Sequence, residues 1–228
     1  MTISLANLID HTLLKPNITD RQIHFLCEEA KQHGFAAVCI NPCYVPLARA
    51  ALQGTSVKIC TVVGFPLGAA TAETKLFEAS RAIRDGADEI DYVINITDVV
   101  NGRYDSVGRE MERFVRLRSD SETPLVIKVI LETCYLSEAQ IVQVCTLARE
   151  TGLDFVKTST GFGTGGALAE HVRIMRETVG PDVGVKASGG IRGYEDCLAM
   201  IKAGANRIGT SAGVTIVTKT AVDQQTGY

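Results

Sequence analysis

The sequence predicts an α/β protein, a single (β/α)8 TIM barrel, on three observations. Eight short runs rich in Val and Ile punctuate the 228 residues, most of them four to eight residues long. Amphipathic segments with helical periodicity follow most of these runs. The length suits one such barrel, which commonly runs to about 250 residues. An open doubly wound sheet is the alternative. It is weakened because no GxGxxG follows the first run.

The strand candidates are "ANLID" (6–10), "AAVCI" (36–40), "VKICTVV" (57–63), "EIDYVINI" (89–96), "PLVIKVIL" (124–131), "LDFVKTS" (153–159), "VGVKAS" (183–188) and "NRIGTS" (206–211). The helix candidates cover 19–34, 71–86, 104–119, 137–152, 168–180 and 194–204. The first has an N-cap candidate at Thr19 or Asp20 and closes on Gly34. Gly86, Gly152 and Gly204 suit the positions just past a helix end. Residues 1–228 read as one domain, with a polar tail from about residue 218 expected to be mobile.

Composition narrows the function. With 46% hydrophobic and 21% charged residues, the chain can bury a sizeable core and stay soluble. A net charge of −3, with the basic residues scattered, gives no footprint for nucleic acid or an anionic membrane. No apolar run approaches the ~18 residues of a membrane span, and the N-terminus lacks the pattern of a signal peptide. The seven cysteines are odd in number, several lie in apolar runs and none forms CxxC. That pattern predicts reduced thiols and a cytoplasmic location.

In a barrel the C-terminal ends of the strands face the active site. Those ends supply Asp91 and Asn95, Lys128 and Glu132, Lys157, Lys186, and the segment from Gly209 to Gly213. Lysine in a buried strand is costly unless paired or useful. A desolvated amine is a nucleophile toward carbonyls, and a second ammonium nearby favours its neutral form. Lys157 and Lys186, in equivalent places on neighbouring strands, therefore fit a reactive amine and its electrostatic activator. Asp91 fits a proton relay. Structural ion pairing is the competing account of each lysine, and for Lys128 the two accounts stay level. Histidines 11, 24, 33 and 171 show no metal spacing. His11 is placed after the first strand, at the mouth or in the core. The segments "STGFGTGGA", "SGGIR" and "GTSAG" follow the last three strands, where backbone amides commonly hold phosphate. Simple chain turning is the competing account.

These motifs, in this order and along the whole chain, resemble the deoxyribose-phosphate aldolases, a family of class I aldolases. The matching pieces are "IDHTLLKP", "VCINPCYVP", "VVGFPLG" with "ETK", "GADEIDYVIN", "KVILET", "FVKTSTGF", "VKASGGIR" and "IGTSAG". The resemblance implies a Schiff-base lysine at Lys157, a second active-site lysine at Lys186 and a proton-relay aspartate at Asp91. It implies phosphate contacts at Gly161, Gly189, Gly190 and Ser211, and pocket-lining roles for Asp10, Thr12, Cys39 and Lys128. A C-terminal tyrosine assists proton transfer in some members, and Tyr228 is the counterpart here. The implied reaction is metal-independent cleavage of 2-deoxy-D-ribose 5-phosphate to D-glyceraldehyde 3-phosphate and acetaldehyde. The expected partners are a phosphorylated sugar and aldehydes, with no cofactor, and a homo-oligomer is allowed.

The chain departs from part of the family at four places. Phe162 stands where some members carry a phosphate-holding lysine, Ala212 where a second serine is frequent, Gly193 where threonine is common, and "GGALAEH" in place of "GGATxED". Phosphate then rests more on backbone amides and other side chains. The competing functions are another phosphate-handling barrel lyase or isomerase, and a catalytically silent sugar-phosphate sensor.

Overall fold

The computed structural model describes residues 4–119 and 124–219. Eight parallel strands close in sequence order: β1 Ile9–Leu13, β2 Ala37–Ile40, β3 Lys58–Val63, β4 Glu89–Val93, β5 Val126–Ile130, β6 Phe155–Lys157, β7 Gly184–Ser188 and β8 Arg207–Thr210, with β8 pairing back to β1. Around them lie α1 Asp20–His33, α2 Val45–Ala51, α3 Ala72–Arg84, α4 Ile96–Val100, α5 Tyr104–Arg116, α6 Glu138–Thr151, α7 Ala169–Val179, α8 Tyr194–Lys202 and α9 Gly213–Thr218. The expected barrel is present. The tail from residue 220, with Tyr228, lies outside the described residues.

Helix ends follow local chemistry. Ser137 caps α6 reciprocally with Gln140, and Gly34 and Gly152 end α1 and α6 in the left-handed conformation. The six expected helices are present. The short α2, α4 and α9 were not separated from loops in the sequence, because each has under two full turns of pattern.

The first strand corrects the sequence reading. "ANL" forms a 3-10 turn over Leu5–Leu8, closed by the Ile9 amide on Ala6, and β1 begins only at Ile9. His11 is therefore inside the strand. Alternation turns its ring outward, where Nε2 lies 2.8 Å from Glu29 Oε2 on α1 and the ring packs on Phe35.

The main core lies between barrel and helices and draws on every strand. The lumen is divided. On the β2 and β3 side, Leu14, Ala37, Cys39, Cys60 and Val62 form an apolar cluster capped by Phe65. The other strands send charged groups inward. Near the closed end, Phe155 fills the space left by Gly184, where a Cβ would come within 2.1 Å of the Phe155 ring. Lys128 and Arg207 lie 5.9 and 6.0 Å from that ring's centre.

Candidate active site

Strand parity sets which side chains share the lumen. Parallel register places Lys157 opposite Lys186, Asp91 opposite Lys128, and Lys186 opposite Arg207. Partners in register point to the same side of the sheet. Glu89 and Asp91 are two residues apart on β4 and both face inward, as does Asp10 on β1.

The charged groups close a ring of alternating sign. Arg207 Nε donates to Asp10 Oδ1 at 2.5 Å. The other Asp10 oxygen accepts from Lys186, whose ammonium also donates to Asp91 Oδ2 at 2.7 Å. Asp91 Oδ1 accepts from Lys128 at 2.8 Å, and Lys128 also donates to Glu89. Glu89 returns the chain to Arg207 Nη2 at 2.6 and 2.7 Å. Three cations, Arg207, Lys186 and Lys128, thus alternate with three carboxylates, Asp10, Asp91 and Glu89.

Lys157 stands outside this ring. Among the described residues its single ion-pair partner is Asp91 Oδ2, at 2.8 Å, the oxygen that Lys186 also uses. It ends β6 and retains slight exposure, whereas Lys128 and Lys186 have none.

Burial alone would drive these groups to their neutral forms. Burial raises Asp91, but Lys128, Lys157 and Lys186 outweigh it and hold the carboxyl well below the usual range. Asp10 is held low against burial by Arg207, then Lys186 and Lys128. Burial lowers the Lys186 ammonium, yet Asp10 and Asp91 carry it well above the usual lysine range. Lys128 is raised likewise against burial, by the Asp91 and Glu89 carboxylates. Cys60 donates to Asp91 Oδ1 at 3.1 Å, and burial pushes its thiol well up. Ligand-type groups within reach of one another, Cys39 with Cys60 and Asp91, or Asp10 with Cys60 and Glu89, have their carboxylates already engaged by these cations.

The mouth is built from the last three strand-to-helix loops. Ser188 Oγ donates to Ser159 O at 2.6 Å, the Ala167 amide to Gly189 O at 3.0 Å, and Thr210 Oγ1 to Ile191 O at 2.7 Å. Gly161, Gly189 and Gly190 have φ of 86°, 83° and 79°. Among the described residues, the amides of these three glycines and of Ser211 have no protein acceptor. Phe162 meets Phe65 edge-on, with ring centres 5.3 Å apart, so it joins the apolar side of the mouth to the glycine loops.

The other expected residues fall as follows. Cys39 is fully buried beside Cys60, and Thr12 Oγ1 donates to Asp10 O at 2.8 Å. Asn95 leaves the lumen and caps α4 by accepting from the Asp98 amide at 3.3 Å. Glu132 has a left-handed φ of 55° and accepts from the amide and hydroxyl of Thr160, so it pins the loop after Lys157. Sequence reading missed Glu89, Arg207 and Cys60. For Glu89 the signal was present, because it has the parity of Asp91, whereas Arg207 joins the site only through the register that pairs it with Lys186.

A family model described as DeoC/LacD family aldolase matches residues 4–220. The chain belongs to the DeoC/LacD aldolase family. It is 58% identical over 215 residues to the deoxyribose-phosphate aldolase of Caldanaerobacter subterraneus subsp. tengcongensis, covering 94% of this chain and 93% of that one. With the deoxyribose-phosphate aldolase of Clostridium novyi it shares 52% over 226 residues, covering 99% and 100%. Among solved structures, the deoxyribose phosphate aldolase from Aeropyrum pernix, described as a unique tetramer, superposes with a TM-score of 0.87. Its identity is 36%, over 94% of this chain and 90% of that one. The stretch that the family model matches, residues 4–220, contains all eight strands.

Proposed function

We propose that the chain is a class I aldolase that reversibly cleaves 2-deoxy-D-ribose 5-phosphate to D-glyceraldehyde 3-phosphate and acetaldehyde through a Schiff base on Lys157. Family membership and identity to named deoxyribose-phosphate aldolases support the reaction. The observation that carries the choice of nucleophile is the charge-balanced ring. Lys157 is the lumen lysine that pairs with one carboxylate and keeps slight exposure, whereas Lys128 and Lys186 each bridge two carboxylates and are fully buried.

The chemistry follows from that arrangement. The neutral Lys157 amine adds to C1 of the open-chain sugar, and the carbinolamine loses water to give an iminium. This cation accepts the electron pair of the C2–C3 bond as the bond breaks. The C3 hydroxyl proton leaves through Asp91, Lys186 and water, and the hydroxyl carbon becomes the aldehyde of glyceraldehyde 3-phosphate. The resulting enamine takes a proton at C2, and water releases acetaldehyde from Lys157. Asp91 suits the relay because one of its oxygens is anchored by Lys128 and the other faces both Lys157 and Lys186. The open amides of Gly161, Gly189, Gly190 and Ser211 would receive the phosphate, which supplies orientation remote from the bond that breaks. Thr12 and Cys39 would line the wall of the same pocket.

Borohydride reduction in the presence of acetaldehyde tests the reading. An N-ethyl adduct is expected on Lys157, and none at that position in Lys157→Ala. Absence of an adduct, or one on another lysine, would remove the mechanism. The reading extends to cytoplasmic location and self-association. A native mass above that of one chain is the expected observation for the latter.

A further inference from the structure

The ring has a consequence for a residue that touches neither Lys157 nor Asp91. Arg207 contacts the ring through Asp10 and Glu89, at the end of the lumen closed by Phe155. It is the member whose charge cannot be lost, since a guanidinium stays protonated throughout the working range. The remaining ring members sum to −1, namely Lys186 and Lys128 against Asp10, Asp91 and Glu89. With Arg207 the ring is neutral and gives Lys157 no net reason to hold a proton. Without it, a protonated Lys157 would restore neutrality. The charge of Arg207 carries to Lys157 because the carboxylates and lysines between them are buried, where charges are poorly screened.

Resting on the Schiff-base reading above, we propose that Arg207 is a positioning residue that sets the net charge of the ring and thereby the proton count of Lys157. The titratable and charged groups bearing on this amine come from the seven other strands: Asp10 on β1, Cys39 on β2, Cys60 on β3, Glu89 and Asp91 on β4, Lys128 on β5, Lys186 on β7 and Arg207 on β8, with Glu132 just beyond β5. Removing a ring cation must favour protonated Lys157, and removing a ring anion must favour the neutral amine.

The test is borohydride trapping of Lys157 with acetaldehyde as a function of pH, in the full chain. In Arg207→Met the midpoint of the trapping profile is expected to rise by about one pH unit or more. In Glu89→Gln it is expected to fall. Arg207→Lys, which keeps the charge, and the double variant Arg207→Met with Glu89→Gln, which restores neutrality, should both return near the wild-type profile. Packing damage alone would not move the two single variants in opposite directions or repair itself in the double variant. If Arg207→Met does not fold, Glu89→Gln and Arg207→Lys still read the rule. Midpoints that move together, or that stay at the wild-type value in Glu89→Gln, would overturn the proposal. A wild-type chain that traps no acetaldehyde would instead overturn the Schiff-base reading, before any variant is compared.

Discussion

Lys157 and Lys186 are register partners on adjacent parallel strands, and their ammonium groups meet on one carboxylate oxygen, Asp91 Oδ2. The sequence reading expected two amines acting on each other directly. The structure inserts a shared anion between them. Lys186 is tied into a balanced circuit through Asp10, and its proton is held there by two carboxylates. Its influence on Lys157 therefore acts through the total charge of the ring as well as through direct repulsion.

Replacing Lys186 with Leu is expected to shift imine trapping at Lys157 to higher pH. The ring loses one cation, and a protonated Lys157 then compensates Asp91. Leucine also leaves the inner Asp10 oxygen without its cation, so stability should fall by about 3–5 kcal/mol, as when one half of a buried pair is removed. A pH series of borohydride trapping and a urea melt give the two readouts. An unchanged pH profile would remove Lys186 from any electrostatic role.

Replacing Asp91 with Asn is expected to damage turnover more than replacing Lys186 with Leu. One carboxylate serves Lys128, Lys157 and Lys186, and an amide can accept from them but cannot neutralise them. Turnover should drop by about 10²- to 10⁴-fold for loss of a proton-transfer group. Steady-state cleavage assays and a thermal melt on the same preparation would separate that loss from unfolding. Turnover within threefold of wild type would place the proton relay elsewhere.

Acid should weaken the fold in a particular window. Asp10 and Asp91 have carboxyls depressed in the folded state, relative to about 3.9 for an unfolded aspartate. Below that value the unfolded chain binds protons that the folded chain refuses. Their stabilisation is therefore complete above about pH 4–5 and lost as pH falls toward the folded values. The urea midpoint of the wild type is expected to fall steeply below about pH 4, and that of Asp10→Asn less steeply. Parallel slopes would show that the inner carboxylates do not govern acid unfolding.

The barrel was legible because the buried strands carry apolar, largely β-branched runs and the long helices their period, with caps at several ends, signals that lie within one segment. Lys157, Lys186 and Asp91 were legible for a related reason: a charge at the end of an apolar strand is a local anomaly. What was not legible is pairing. Glu89 stands at the start of its run and looks like a solvated strand entry, yet it is buried between Lys128 and Arg207. Arg207 likewise reads as a strand-start cation until closure of β8 on β1 brings it to Asp10. His11 and the start of β1 were misplaced because "ANL" is apolar enough to pass for a strand while its backbone closes a 3-10 turn.

Gly190 separates the two accounts of the glycine loops. Its φ of 79° favours glycine, but a Cβ there would meet nothing within 4 Å. Gly190→Ala therefore carries a backbone cost of about 1–2 kcal/mol and no clash. Gly166→Ala, by contrast, would drive a Cβ to 2.3 Å from Gly189 O and disturb the loop itself. If the open amides hold phosphate, Gly190→Ala should raise KM for deoxyribose 5-phosphate severalfold while leaving kcat/KM for unphosphorylated deoxyribose nearly unchanged. The wild type should also prefer the phosphate ester clearly over the free sugar. Equal efficiency on the two sugars would mean that the glycines only turn the chain, and that orientation comes from the apolar wall of Phe65 and Phe162.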